Sequence, residues 1–80
     1  MILGGKVGLH ARPAADFVRE AEKYRSDVRV TKDGMSANGK SILALLTLAA
    51  ESGSELVLEV DGPDEEQALD VLKTKLEHGD

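Results

Sequence analysis

The stretch Gly8-Leu9-His10-Ala11-Arg12-Pro13-Ala14-Ala15 places a histidine just ahead of a strong helix start, with an arginine and a proline close behind it. A neutral imidazole is a nucleophile at ordinary pH. If Ala11 opens the helix, Pro13 falls in its first turn, where a missing N–H costs nothing. The first backbone N–H groups then point outward unpaired and carry the positive end of the helix dipole. Such an end is suited to an anion, and Arg12 adds a planar, permanently charged donor fork that matches phosphate. His10 therefore stands where it could accept a phosphoryl group and have its oxygens held. The same spacing also suits a histidine that merely caps the helix or lies on the surface.

Gly8-Leu9-His10-Ala11-Arg12-Pro13-Ala14 resembles the active-site signature of the phosphocarrier protein HPr family of the sugar phosphotransferase system. A second block, Gly39-Lys40-Ser41-Ile42, resembles that family's regulatory serine site and lies at its usual distance downstream. The likeness runs from about Met1 to Leu76. It implies that His10 takes a phosphoryl group on Nδ1 from phosphorylated enzyme I and passes it to sugar-specific IIA proteins, with Arg12 steadying the phosphate. It also implies a cytoplasmic protein that is a stoichiometric carrier rather than an enzyme. Phosphohistidine is a phosphoramidate, reactive because its nitrogen leaves easily once protonated. Beyond positioning and charge stabilisation, such a relay asks little covalent work of the protein.

Ser41 reads first as the N-cap of a short helix, worth about 1 kcal/mol to it. In the family a dedicated kinase phosphorylates this serine in some lineages, so a serine kinase/phosphorylase is a further partner that the resemblance implies. A phosphate there would be tolerated by the helix N-terminus and would repel acidic groups on a partner. The helix, expected from Ile42 to about Ala50, is apolar nearly all round: Ile42, Leu43, Leu45, Leu46, Leu48, Ala49 and Ala50. Either part of that surface is exposed for docking, or a domain poor in aromatics buries more of it. The resemblance favours docking through Ile42, Leu43 and Leu46, because in the family this helix and the histidine loop form one surface.

Other chemistries find little support. His78 is the only other histidine and there is no cysteine, so a metal site would lean on carboxylates, and none are suitably spaced. No serine and carboxylate are placed to make a triad with His10. No cofactor is expected. A net charge of -5 argues against a nucleic-acid binder. No apolar run approaches the roughly 20 residues of a membrane span, and no signal peptide is visible. The acids gather from Glu51 to Glu66 and at the C-terminus, whereas Arg12, Arg19, Lys23 and Arg25 lie near His10 in the chain.

Eighty residues make one small domain, residues 1–80, whose core must come from Leu, Val, Ile and Ala, since Phe17 and Tyr24 are its only aromatics. Met1-Ile2-Leu3 reads as a strand stopped by Gly4-Gly5. It is about four residues shorter than in the family and below the usual strand length of roughly 5–6. A lowered stability and an edge open to strand addition or exchange are expected to follow. Ala11 to about Tyr24 reads as a helix with a buried face of Ala14, Phe17, Val18 and Ala21. Val28–Thr31 and Met35–Ala37 read as strands joined by an Asp33-Gly34 turn, whose residues supply the positive φ that such turns demand. In the strand from Glu55 to Val60, Leu56, Leu58 and Val60 share one face, with Glu55, Val57 and Glu59 on the other. Asp64 with Gln67 suggests a capping box for a last helix with a stripe of Ala68, Leu69, Leu72 and Leu76.

The order βαββαβα predicts an α+β fold, three helices on one face of a four-stranded antiparallel sheet whose other face is solvated, the open-faced β-sandwich of the family. A rival functional reading is a regulatory interaction protein controlled by the state of Ser41; the intact His10 argues against a purely regulatory relative. A module cut from a larger phosphotransferase is a third possibility, disfavoured by the absence of linker sequence.

Overall fold

The computed structural model describes residues 1–5 and 8–78. Three helices and three strands follow in the order α1 (Ala11–Ala21), β1 (Asp27–Lys32), β2 (Met35–Asn38), α2 (Ile42–Thr47), β3 (Val57–Asp61) and α3 (Glu65–His78). The sheet is antiparallel, with β1 between β2 and β3. Asp33 and Gly34 both take positive φ, +50° and +81°, as the short β1–β2 turn requires. The expected first strand is reduced to one antiparallel bridge, Ile2 with Glu55, so the described residues contain three named strands. The fold class is as expected, an open-faced α+β layer.

The helical layer closes over one sheet face. α1 packs against both α2 and α3, while α2 meets β2 and α3 meets β3. Phe17, Leu45, Leu56, Leu72 and Val30 are the largest fully buried apolar side chains. Ala14, Phe17, Val18 and Ala21 are buried as their spacing predicts. Gly39 lies so close beneath β1 that a Cβ would fall 2.3 Å from Cγ1 of Val28 and 3.2 Å from the Phe17 ring. Its N–H donates to the Val28 carbonyl at 2.7 Å, so the chain entering α2 is tied directly to the central strand.

Both shorter helices stop earlier than their apolar patterns suggest. After Ala21 the chain tightens into i→i−3 bonds, Lys23 N–H to Glu20 and Tyr24 N–H to Ala21. After Thr47, Leu48 and Ala49 do the same, and Ala49 then turns left-handed at φ +52°. Leu69 does not join the buried stripe of α3; it is 39% exposed, whereas Ala68, Leu72 and Leu76 are buried. A 14-residue helix on a small core buries one narrow stripe, and Leu69 lies at its margin.

The Asp64–Gln67 box is also replaced. The Asp64 carboxylate instead accepts from the Arg25 and Ser26 backbone N–H groups at 2.9 and 3.0 Å and from the Ser26 hydroxyl at 2.6 Å. A box-like contact forms earlier, with the Gly62 N–H donating to the Glu65 carboxylate at 3.1 Å. Asp64 thereby joins the start of α3 to the approach to β1 and satisfies Ser26, the one buried polar residue of the described core. The Ser26 hydroxyl bond and the two N–H donors hold the Asp64 carboxyl below its ordinary value of 3.8. Because the folded value lies below the unfolded one, this stabilisation is complete above the unfolded value and is lost as pH falls through the folded one. Asp64→Asn should therefore lower the urea midpoint at neutral pH, and the gap from the parent should close on acidification through that window. A series of urea melts at stepped pH measures this; a gap that does not change with pH would rule out the charged acceptor.

Candidate functional site

His10 is the N-cap of α1, with φ -112° and ψ -167°, and its carbonyl accepts the Ala14 N–H at 2.9 Å. Its backbone caps the helix but its side chain makes no capping hydrogen bond, so the exposed imidazole is not spent on structure. Pro13 occupies the first turn and has no N–H, while that of Ala14 is used by His10. The helix mouth therefore presents the N–H groups of Ala11 and Arg12, which have no intrahelical acceptor. The first turn contains no acid.

Arg12 is exposed and makes no ion pair among the described residues. The usual i, i+4 partner on its helix would be Asp16. That carboxylate is already approached by Arg19 at 3.2 Å and by Lys75 of α3 at 3.9 Å. These exposed pairs stabilise little, but they leave the Arg12 fork available beside His10.

The loop that carries His10 is fixed by close backbone approach. Leu9 is buried and its N–H donates to the Ala50 carbonyl at 2.9 Å. Gly8 has φ +81°, and a Cβ there would come within 2.6 Å of the Ala50 oxygen, 2.7 Å of Glu51 Cα and 2.9 Å of the Ser52 nitrogen. Across the same junction the Ser52 hydroxyl donates to the Gly5 carbonyl at 2.6 Å. The chain leaving α2 is thus the floor on which the histidine loop rests.

α2 divides as one of the two sequence readings required. Leu45 and Leu48 enter the core, while Leu43 is 75% exposed, Ile42 is 41% exposed and Leu46 is half-buried. Ser41 caps the helix, its hydroxyl accepting the Ala44 N–H at 3.2 Å. Ser41 and the Ala50 junction lie beyond opposite ends of α2, whose six residues span about 9 Å. The histidine loop thus adjoins the C-terminal end of α2, and Ser41 its N-terminal end.

Two supporting lysines escaped the sequence reading. Lys32 of β1 reaches across to the Leu48 and Ala49 carbonyls at 3.2 and 3.3 Å, capping the end of α2. Lys40, next to Ser41, donates to the Tyr24 carbonyl at 2.8 Å beyond the end of α1. These three bonds span 16 or 17 positions, and no local pattern announces them. The enclosed space beneath the histidine loop, lined by Leu3, Leu9, Phe17 and Leu76 among others, amounts to only about 20 Å³. His10 does not line that space and is itself exposed, so any reaction there takes place on an open surface. No group of histidines and acids among the described residues is arranged to hold a metal ion.

Comparison with known proteins agrees with this geometry. A family model described as the PTS HPr component phosphorylation site matches residues 1–78. The chain belongs to the HPr family. It is 51% identical over 67 residues to the HPr-like protein Crh of Bacillus subtilis, an alignment covering 84% of this chain and 79% of that protein. It is 49% identical over 65 residues to phosphocarrier protein HPr of Haemophilus influenzae, covering 81% and 76% respectively. The crystal structure of HPr from Bacillus anthracis str. Ames superposes with a TM-score of 0.93 at 39% identity, covering 96% of this chain and 92% of that one. HPr proteins are phosphocarriers of the phosphotransferase system rather than catalysts. No helix among the described residues is long and apolar enough to cross a membrane.

Gly8→Ala should cost at least roughly 1–2 kcal/mol from its left-handed backbone alone, with the Ala50 contact adding to it. Faster amide exchange at Leu9 than at the centre of α1 would show the loop lifting from its floor, whereas unchanged protection would show that the approach is not a constraint.

Proposed function

We propose that the protein is a phosphoryl carrier that receives its group on His10 from enzyme I and yields it to IIA proteins of sugar transporters in the cytoplasm. The observation that carries this reading is an exposed imidazole at the mouth of α1, with no capping hydrogen bond, beside an Arg12 that makes no ion pair among the described residues. In the acceptance step an imidazole nitrogen attacks phosphorus and a P–N bond forms. The bond from phosphorus to the donor atom of phosphorylated enzyme I breaks, and that atom departs with the electron pair. The Ala11 and Arg12 N–H groups and the Arg12 guanidinium stabilise the charge on the phosphoryl oxygens. Donation to a IIA protein runs the same step in reverse from the same open surface.

Incubation with enzyme I and phosphoenolpyruvate should add one acid-labile phosphoryl group by intact mass, and His10→Ala should abolish it. Persistent acid-labile phosphorylation of that variant would overturn the assignment. Arg12→Lys keeps the charge but loses the fork, and should slow transfer by roughly tenfold with the melting temperature little changed.

Ile42, Leu43 and the open part of Leu46 form the docking surface in this reading. Leu43→Glu should weaken binding to enzyme I on the order of tenfold or more, as loss of a buried interface anchor does. Its thermal midpoint should barely move; a collapse of stability would return Leu43 to the core.

A second, regulatory reading is favoured by the likeness to Crh and by the position of Ser41. A serine kinase/phosphorylase pair would then set the state of Ser41, and a phosphate there would place negative charge beside the docking residues. The two roles are compatible in one molecule. Acid-stable phosphorylation of Ser41 by such a kinase, abolished by Ser41→Ala, distinguishes this role from the acid-labile chemistry of His10.

A further inference from the structure

Ala49 is the one alanine among the described residues whose φ is positive, +52°. A Cβ disfavours that region, and glycine is the usual residue where a helix ends in it. Here the left-handed turn lies between the end of α2 and Ala50, whose carbonyl anchors the Leu9 N–H. Returning Ala49 to the right-handed region would continue the helix and swing the Ala50 carbonyl away from the histidine loop. The site thus needs a conformation that the residue adopting it disfavours. Ala49 is itself exposed, so packing of its own side chain does not enforce the turn.

Two kinds of contact can hold it. Leu48 and Ala50 are buried on either side. Lys32 supplies the second kind. It ends β1 and follows the buried Val28 and Val30 by steps of two, so its side chain leaves the sheet on the helical side. From there its ammonium donates to the Leu48 and Ala49 carbonyls at 3.2 and 3.3 Å. These two carbonyls flank the Ala49 Cα, so one charge that bonds both restrains the φ and ψ of that single residue. Lys32 makes no ion pair among the described residues, and no carboxylate there competes for its ammonium.

We propose that Lys32 is a positioning residue for phosphoryl transfer. By clamping the carbonyls around Ala49 it holds the turn that aims Ala50 at Leu9, and so fixes His10 at the mouth of α1. The proposal rests on the reading of His10 as the phosphoryl acceptor. Lys32 does not touch the phosphoryl group; its effect passes through Ala49, Ala50 and Leu9. A lysine that merely capped α2 would add to the stability of that helix and do nothing else. The two roles differ in their response to Ala49→Gly. Glycine takes the left-handed region freely, so this change removes the need for the clamp without replacing the lysine's charge.

Lys32→Met keeps the length and apolar stem of the side chain and removes its donors. Rapid-quench mixing with phosphorylated enzyme I, over a range of carrier concentrations, separates the saturating transfer rate from the half-saturating concentration. Lys32→Met should lower the saturating rate on the order of tenfold, as misplacement of a reacting group does. The half-saturating concentration should change little, because the docking residues Ile42 and Leu43 lie at the other end of α2. Amide exchange at Leu9 should quicken while the centre of α1 keeps its protection. Adding Ala49→Gly to Lys32→Met should restore both the rate and the protection of Leu9. Every run is made well below the thermal midpoint of its variant, so that loss of fold does not imitate loss of position. A folded Lys32→Met with the parent's rate and Leu9 protection would overturn the proposal, since burial of Leu48 and Ala50 would then suffice. So would a loss that Ala49→Gly leaves uncorrected, or a change in the half-saturating concentration alone. Leu9 exchange is read without enzyme I, so failure of the clamp is distinguishable from failure of the His10 reading.

Discussion

The close passage of Gly8 and Leu9 over Ala50, Glu51 and Ser52 is the constraint on which the candidate site depends. A histidine on a surface loop would ordinarily sample many positions, and a transfer reaction on an open surface has no cleft to correct them. Here the Leu9 side chain is sunk in the core and its amide is tied to Ala50. Ala50 is itself buried, and Leu48 and Ala49 just before it are held by Lys32 from the central strand. A continuous support therefore runs from the sheet through the end of α2 to the mouth of α1. Only a residue without a Cβ fits at its tightest point.

Much of this was legible in the chain because it depends on local periodicity. The 3.6-residue spacing of Ala14, Phe17, Val18 and Ala21 and the alternation of Leu56, Leu58 and Val60 each identify one buried face, and Asp33-Gly34 specifies its own turn. Ser41 was readable as a cap for the same reason, since its acceptor geometry is set within one helical turn. The polar bonds that join elements were not legible. Asp64 offered a local partner in Gln67, but the Ser26 and Arg25 donors, 38 and 39 positions away, win because Ser26 is buried and would otherwise be unsatisfied. The early end of α2 likewise has a distant cause, for a lysine on another element satisfies carbonyls that further helical turns would have used. Leu69 shows the limit of pattern reading: an apolar residue can match the period and still fall outside the contact area of a small core.

α2 is six residues long and serves two surfaces at once. Leu45 anchors it inward while Leu43 stands out in solvent, and the serine that starts it and the tail that ends it touch different parts of the molecule. So short a helix has little intrinsic stability and exists because both ends are tied down. Its outward residues are therefore presented by the fold rather than by the helix itself, which makes a large exposed leucine tolerable in an otherwise acidic protein.

The bond from Lys40 to the Tyr24 carbonyl has an optical corollary. Tyr24 is the only tyrosine and the chain has no tryptophan, so its intrinsic emission comes essentially from one ring. That ring is half-buried, and burial together with the neighbouring Glu20 carboxylate pushes its phenol up from the usual value. Its backbone is fastened to the residue beside Ser41. The protein thus contains a single unlabelled fluorophore in a residue whose backbone is tied to the start of α2.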